Sequence, residues 1–199
     1  MCEDAHPTVP SRPYAHLLGL YLGDGHIISK PRQHTLSISC CDTWPGLMDE
    51  AAHAMTHVMP YATVGRQQRS GCTDIKSYSM HWPCLFPQHG AGRKHDRPIV
   101  LDPWQEKIVR AEPWPLVRGL IHSDGCRNMN WTVCTVAGER KRYEYPRYLF
   151  SNESTDIMRI LTTTRDGLGV EGKFSRRNVV SIARRPSVEL MDRHIGPKY

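Results

Sequence analysis

Apolar positions along the chain repeat at two periods, one helical and one of two residues, and their order sets out an architecture. Leu17-Leu18 and Leu116-Val117 each lead into a short apolar helix that ends at a glycine. From His34 to Cys40 the pattern alternates, with Leu36, Ile38 and Cys40 on one face and Thr35, Ser37 and Ser39 on the other, which predicts a half-buried strand. Asp42 or Thr43 then caps a helix carrying Leu47, Met48, Ala51, Ala54, Met55 and Val58 at helical spacing. Tyr61 to Arg69 and Thr73 to Met80 read as further strands. In the second part, Asn130 to Val136 and Tyr143 to Phe150 read as strands joined by the basic stretch 138–142. Ser151 to Asp156 caps a helix through Ile157, Met158, Ile160 and Leu161, and strands follow at Leu168 to Phe174 and Val179 to Ala183. The order helix, strand, strand, helix, strand, strand therefore occurs twice.

The repetition is sharpest in two short motifs. Gly19-Leu20-Tyr21-Leu22-Gly23-Asp24-Gly25 and Gly119-Leu120-Ile121-His122-Ser123-Asp124-Gly125 share Gly-Leu at the start and Asp-Gly at the end, 100 positions apart. Between the halves, Pro83 to Pro98 mixes Pro, Gly, His and Arg without a period and reads as a loop, with a short helix from Pro103 to Arg110 leading out of it. A closing helix is expected from Pro186 to Arg193. The organisation expected is an N-terminal half at 14–82, a linker with a short helix at 83–112 and a C-terminal half at 113–199.

Charge narrows the partners. The 26 Lys and Arg outnumber the 20 Asp and Glu in 199 residues, and a net charge of +6 favours an anionic partner such as nucleic acid. Met1 to Tyr14 lacks a signal-peptide core and no stretch approaches the roughly 18 apolar residues of a membrane span, so a cytoplasmic protein without membrane contact is expected. The seven cysteines form no C-x-x-C pair, which reads as reduced thiols, most of them small core residues. His81, Cys84, His89 and His95 carry zinc-type donors at a spacing that fits no compact zinc pattern, and read as solvated loop residues. His53 and His57, four apart on a helix, read as surface, since the H-E-x-x-H glutamate is Ala54 here.

Gly19 and Gly23, like Gly119 and Ser123, stand four residues apart, so each motif helix carries a stripe of small residues that lets two backbones approach closely. Packed along those stripes, the helices end level and bring Asp24 and Asp124 together. A carboxylate at a helix C-terminus faces the negative end of the dipole, at a cost of about 0.3 to 1 kcal/mol, and a second carboxylate adds repulsion. A divalent cation reverses that sign, and hard oxygen donors suit Mg²⁺ in phosphodiester chemistry. A single Asp-Gly would be read as a turn; two copies with the same lead-in point to a shared site.

Leu17 to Gly25 and Val117 to Gly125 resemble the two nine-residue motifs of monomeric LAGLIDADG homing endonucleases, and the surrounding elements resemble that family's αββαββ halves over most of the chain. The resemblance implies an α+β fold of two pseudo-symmetric αββαββ halves, each with a four-stranded antiparallel sheet, joined along the two motif helices into a saddle over DNA. It implies a monomeric, Mg²⁺- or Mn²⁺-dependent endonuclease that cuts double-stranded DNA at a long pseudo-palindromic site. Asp24 and Asp124 become the catalytic metal-binding acids, one per strand, with the carbonyls of Gly23 and Ser123 helping to hold the metals. The sixth motif position departs from the pattern, being Leu22 and His122, and Arg118 replaces a small residue and should point away from the seam.

The family also places a basic or polar residue near the cut phosphates, and Lys94 is the candidate. Arg66, Arg69, Lys76, Arg140, Lys141, Arg142, Arg147, Lys173, Arg176 and Arg177, on or beside the strands, are the expected DNA contacts. Two other functions share the scaffold, a DNA-binding transcriptional regulator and an RNA maturase for intron splicing. A regulator needs the glycines for packing but neither aspartate, and both are present.

Overall fold

The protein is described here by a computed structural model covering residues 8–199; Cys2, Glu3 and Asp4 lie outside the described residues. The chain begins with helix α1 (Ser11–Leu22), strands β1 (Gly25–Lys30) and β2 (Gln33–Cys41), helix α2 (Pro45–Val58), and strands β3 (Val64–Gln68) and β4 (Cys72–Tyr78). Helix α3 (Trp82–Leu85), a 3-10 turn at Lys94–Asp96 and helix α4 (Pro103–Ala111) follow. The pattern then repeats as α5 (Pro113–Asp124), β5 (Gly125–Val136), β6 (Glu139–Ser151), α6 (Thr155–Gly167), β7 (Lys173–Arg176) and β8 (Val179–Ile182), and α7 (Arg185–His194) closes the chain.

Both sheets are antiparallel with equivalent strand orders, β1-β2-β4-β3 and β5-β6-β8-β7, and helices cover one face of each. Leu36, Ile38 and Ile75 from one sheet, and Tyr148, Phe150, Val180 and Ile182 from the other, are buried beneath those helices. The motif helices α1 and α5 form the seam, burying Leu17, Leu18, Leu116, Val117 and Leu120. Backbone meets backbone there: a methyl on Gly19 would lie 2.9 Å from Gly119 Cα and closer still to the Leu116 carbonyl oxygen. The small-residue stripe thus does what its spacing predicts. Arg118 points away from the seam, where its guanidinium donates to Glu50 Oε1 at 2.5 Å and to the Ile195 carbonyl.

Several expectations need correction. Pro45, not Asp42 or Thr43, opens α2, with Trp44 as its N-cap, since proline at the first helical position fixes φ where no N–H is needed. Strand β1 follows the first motif directly; its adjacent Ile27 and Ile28 break the alternation that marks a strand. Arg140, Lys141 and Arg142 lie inside β6 rather than in a loop. The turn is Ala137-Gly138, both at positive φ (53° and 84°), as a tight two-residue hairpin requires.

The stretch 83–98 is not a solvated loop throughout: Leu85 and Phe86 are buried with Trp82, and Tyr14 stacks on Phe86 with centroids 5.8 Å apart. Of the cysteines, Cys40 is buried, but Cys41, Cys126 and Cys134 are exposed. Cys84 is disulfide-bonded, which overturns the expectation of a reduced thiol there. Among the described residues no three His, Cys, Asp or Glu side chains gather as a metal cluster, and none of the helices is long and apolar enough to cross a membrane.

Candidate active site and nucleic-acid interface

The C-terminal ends of α1 and α5 meet at one level. A Cβ built on Gly23 would collide with the Ser123 side chain and come within 3.2 Å of Asp124 Oδ2, so the two motif ends touch. Asp24 follows the last turn of α1 and Asp124 closes α5. Surrounding protein removes water from both carboxyls and raises their pKa values, that of Asp24 to about 6 with a further contribution from the charge of Asp124. Asn152, following β6, donates its Nδ2 hydrogen to Asp124 Oδ2 at 2.6 Å and so orients that carboxylate.

A lysine caps each motif end. Lys94 Nζ donates to the carbonyls of Tyr21 at 2.5 Å and Gly23 at 2.6 Å, and its ammonium lies 5.1 Å from the Tyr21 ring centroid. Burial lowers its pKa to about 8, with Asp124 and Asp24 pulling the other way. Lys94 is held there by the linker. Tyr14 Oη donates to Leu85 O at 2.5 Å, Gln105 Nε2 donates to Tyr14 Oη at 2.7 Å, and Arg97 donates to the carbonyls of Gln88, Ala91 and Gly92.

In the other half, Lys198 Nζ donates to Ser123 O at 3.0 Å. Sequence reasoning missed Lys198. A usable signal was present, because Lys94 follows Gly23 by 71 residues and Lys198 follows Ser123 by 75, nearly the same offset. The carbonyls of Gly23 and Ser123 therefore both accept from a cation. Two carboxylates made reluctant to ionise by burial, beside carbonyl oxygens already aimed at positive charge, form a hard-oxygen donor set that suits Mg²⁺, Mn²⁺ or Ca²⁺.

Strand register sorts the expected DNA contacts by sheet face. On the first sheet, Lys76 pairs with Ser37 and Gly65, on the face away from Ile38 and Ile75, and Arg69 reaches the same face through Asp74 at 2.6 Å. Arg66 pairs with Ile75 in register and bonds Asp49 of α2, so it lies on the helix side. On the second sheet, Lys141, Arg147, Lys173 and Arg176 alternate with the buried Tyr148, Phe150 and Val180 and share the helix-free face. Arg140 and Arg142 occupy the opposite face, where Arg142 covers the Trp131 ring at 5.0 Å and bonds Glu144 at 2.6 Å. Arg177 sits in the β7–β8 turn, 3.9 Å from Glu153.

The structure also places the chain among known folds. I-DmoI in complex with DNA and manganese matches with a TM-score of 0.60 at 14% identity, covering 95% of this chain and 98% of that one. The LAGLIDADG meganuclease I-AabMI bound to uncleaved DNA matches with a TM-score of 0.54 at 10% identity, covering 92% and 83%. The N-terminal LAGLIDADG domain of WhiA gives 0.54 at 11%, covering 95% and 83%. No protein-family model matches the sequence, and no curated protein does.

Proposed function

We propose that this chain, which has the LAGLIDADG saddle fold, is a divalent-metal-dependent endonuclease that cuts both strands of a specific DNA duplex as a monomer. The observation that carries the reading is the meeting of Asp24 and Asp124 at the seam, each beside a lysine-capped carbonyl, at the base of two basic sheet faces. Asp24 and Asp124 would hold Mg²⁺ or Mn²⁺, with Gly23 and Ser123 offering carbonyl oxygens. When bound, the metal supplies Lewis-acid stabilisation of charge building on the scissile phosphate. Asn152 orients Asp124, and Lys94 and Lys198 place positive charge where that negative charge builds. Arg69, Lys76, Lys141, Arg147, Lys173 and Arg176, sharing the helix-free faces, are positioned to track phosphates and read base edges. One chain carries both halves of the seam, so no second copy is needed. The presence of both acids favours cleavage over binding alone.

The reading is tested by selecting cleaved sequences from a randomised duplex library in Mg²⁺. One long preferred site is expected, and its affinity should fall steeply with salt as lysines and arginines release counterions. A library left intact, or binding indifferent to salt, would contradict it.

The lysines carry their own expectation. Lys94→Met should slow single-turnover cleavage by about 100- to 1000-fold, the usual effect of losing one preorganised donor, with binding changed far less. The wild-type rate should also fall above about pH 8, where Lys94 gives up its proton, and that limb should vanish in Lys94→Met. Lys198→Met should slow the same step, measured strand by strand on end-labelled duplex.

A further inference from the structure

The two hairpins that follow the motif helices differ in length. β1 and β2 form six paired rows, Gly25↔Ile38 to Lys30↔Gln33, whereas β5 and β6 form twelve, Gly125↔Phe150 to Val136↔Glu139. The first hairpin rides on its sheet, because β2 pairs with β4 from Thr35 to Cys41. The second leaves its sheet: β6 pairs with β8 only over Tyr148–Ser151, so from Asn128 and Arg147 outward the chain is a two-stranded ribbon. Its helix-free face carries Arg147, Asn130, Tyr145, Thr132, Tyr143 and Lys141, a row of hydrogen-bonding and basic side chains whose one carboxylate, Glu139, stands on the last row beside the turn. Tyr145 Oη accepts from Asn130 Nδ2 at 2.5 Å, which stiffens the ribbon where it leaves the sheet.

Resting on the endonuclease reading, we infer that the ribbon lies in the major groove of the C-terminal half-site and makes the recognised DNA lopsided about the cut. A major groove admits a two-stranded β-ribbon. The polar face is continuous with the basic face of the second sheet, and its charge complements phosphate. Six extra rows at about 3.4 Å each add roughly 20 Å of reach. That distance corresponds to about four to six base pairs at 3.4 Å per step, the lower figure for a ribbon tilted along the groove. Lys141, Tyr143 and Tyr145 thereby become specificity-determining residues for the outer positions of one half-site, with no counterpart in the other.

Hydroxyl-radical footprinting on the selected duplex tests the inference. Wild-type protein should protect about four to six base pairs more on one side of the cut than on the other. Replacing 131–144 by Asn-Gly closes the ribbon on the Asn130↔Tyr145 row with a two-residue hairpin turn, leaves six rows as in the first hairpin and should erase that excess, while the central protection and the cut positions stay. Lys141→Ala/Tyr143→Ala/Tyr145→Ala keeps the ribbon and should abolish sequence preference at the outer positions alone. Protection of equal length on both sides, or an unshortened footprint in the first variant with preference unchanged in the second, would overturn the inference while leaving the endonuclease reading intact. Absence of any footprint on any duplex would overturn both.

Discussion

Replacing both Asp24 and Asp124 by Asn is expected to abolish cleavage of both strands while leaving DNA binding nearly unchanged. Asn preserves shape and most hydrogen bonding but removes the charge that a cation needs, and a catalytic metal contributes several kcal/mol of transition-state stabilisation, about a thousandfold or more in rate. Binding is expected to rest on the basic residues of the two sheet faces, none of which this variant changes. The fold should not suffer. The folded-state pKa of Asp24, raised to about 6 from 3.8, means that its contribution to stability is complete below the unfolded value and is lost as pH rises through 6. Above pH 6 without metal, the double variant should therefore melt no lower than wild type. Each single variant should cut one strand more slowly than the other if, as proposed, each acid serves a different strand. End-labelled duplex, with melting curves alongside, measures all of this.

A second large effect is expected at the seam. Gly19→Val or Gly119→Val forces a side chain between two backbones, against Gly119 Cα in one case and against Leu20 N and Gly19 Cα in the other. Backbone cannot turn aside as a side chain can, so the loss should reach the upper part of the overpacking range, about 3 kcal/mol. In a chain of this size that lowers Tm by roughly 6 to 12 °C. Cleavage should fall further than stability, since prying α1 from α5 also separates Asp24 from Asp124. Gly167→Ala is the internal control. Its Cβ meets nothing within 4 Å at the end of α6, and Tm should hold or rise slightly. Equal melting temperatures for Gly19→Val and Gly167→Ala would show that the seam is looser than the structure has it.

The motifs made the centre of the molecule readable from sequence, because two copies of Gly-x₃-small-Asp-Gly carry both a packing rule and a chemical group. Elements with clean periods were also placed, as with β2 and α2. What escaped was whatever depends on register or on a distant partner. Arg140 and Arg142 look like Lys141 in sequence, yet strand alternation sends them to the opposite face, and that parity is fixed only by Tyr148 and Phe150 of the same strand being buried on the core side. The ribbon's length was hidden by the charged run 139–142, which resembles a loop until Ala137-Gly138 is seen to make the turn. Lys94 was drawn from family resemblance, and its position depends on Tyr14, Gln105 and Arg97 anchoring the linker. Lys198 lies beyond the closing helix, and its only mark in the sequence is an offset from Ser123 close to that of Lys94 from Gly23. The role of Asn152 in orienting Asp124 depends on β6 returning to the seam.

The central claim, that two acids from two halves make one metal-dependent site cutting both strands, is tested most directly by strand-resolved cleavage of the selected duplex. Each strand is end-labelled in turn and incubated with wild-type protein in Mg²⁺, then in excess chelator. Cuts on both strands at fixed, staggered positions, lost on chelation and absent with the Asp24→Asn/Asp124→Asn protein, are the result expected. Cleavage that persists in chelator or in the double variant, or tight specific binding without a cut in Mg²⁺ or Mn²⁺, would contradict it.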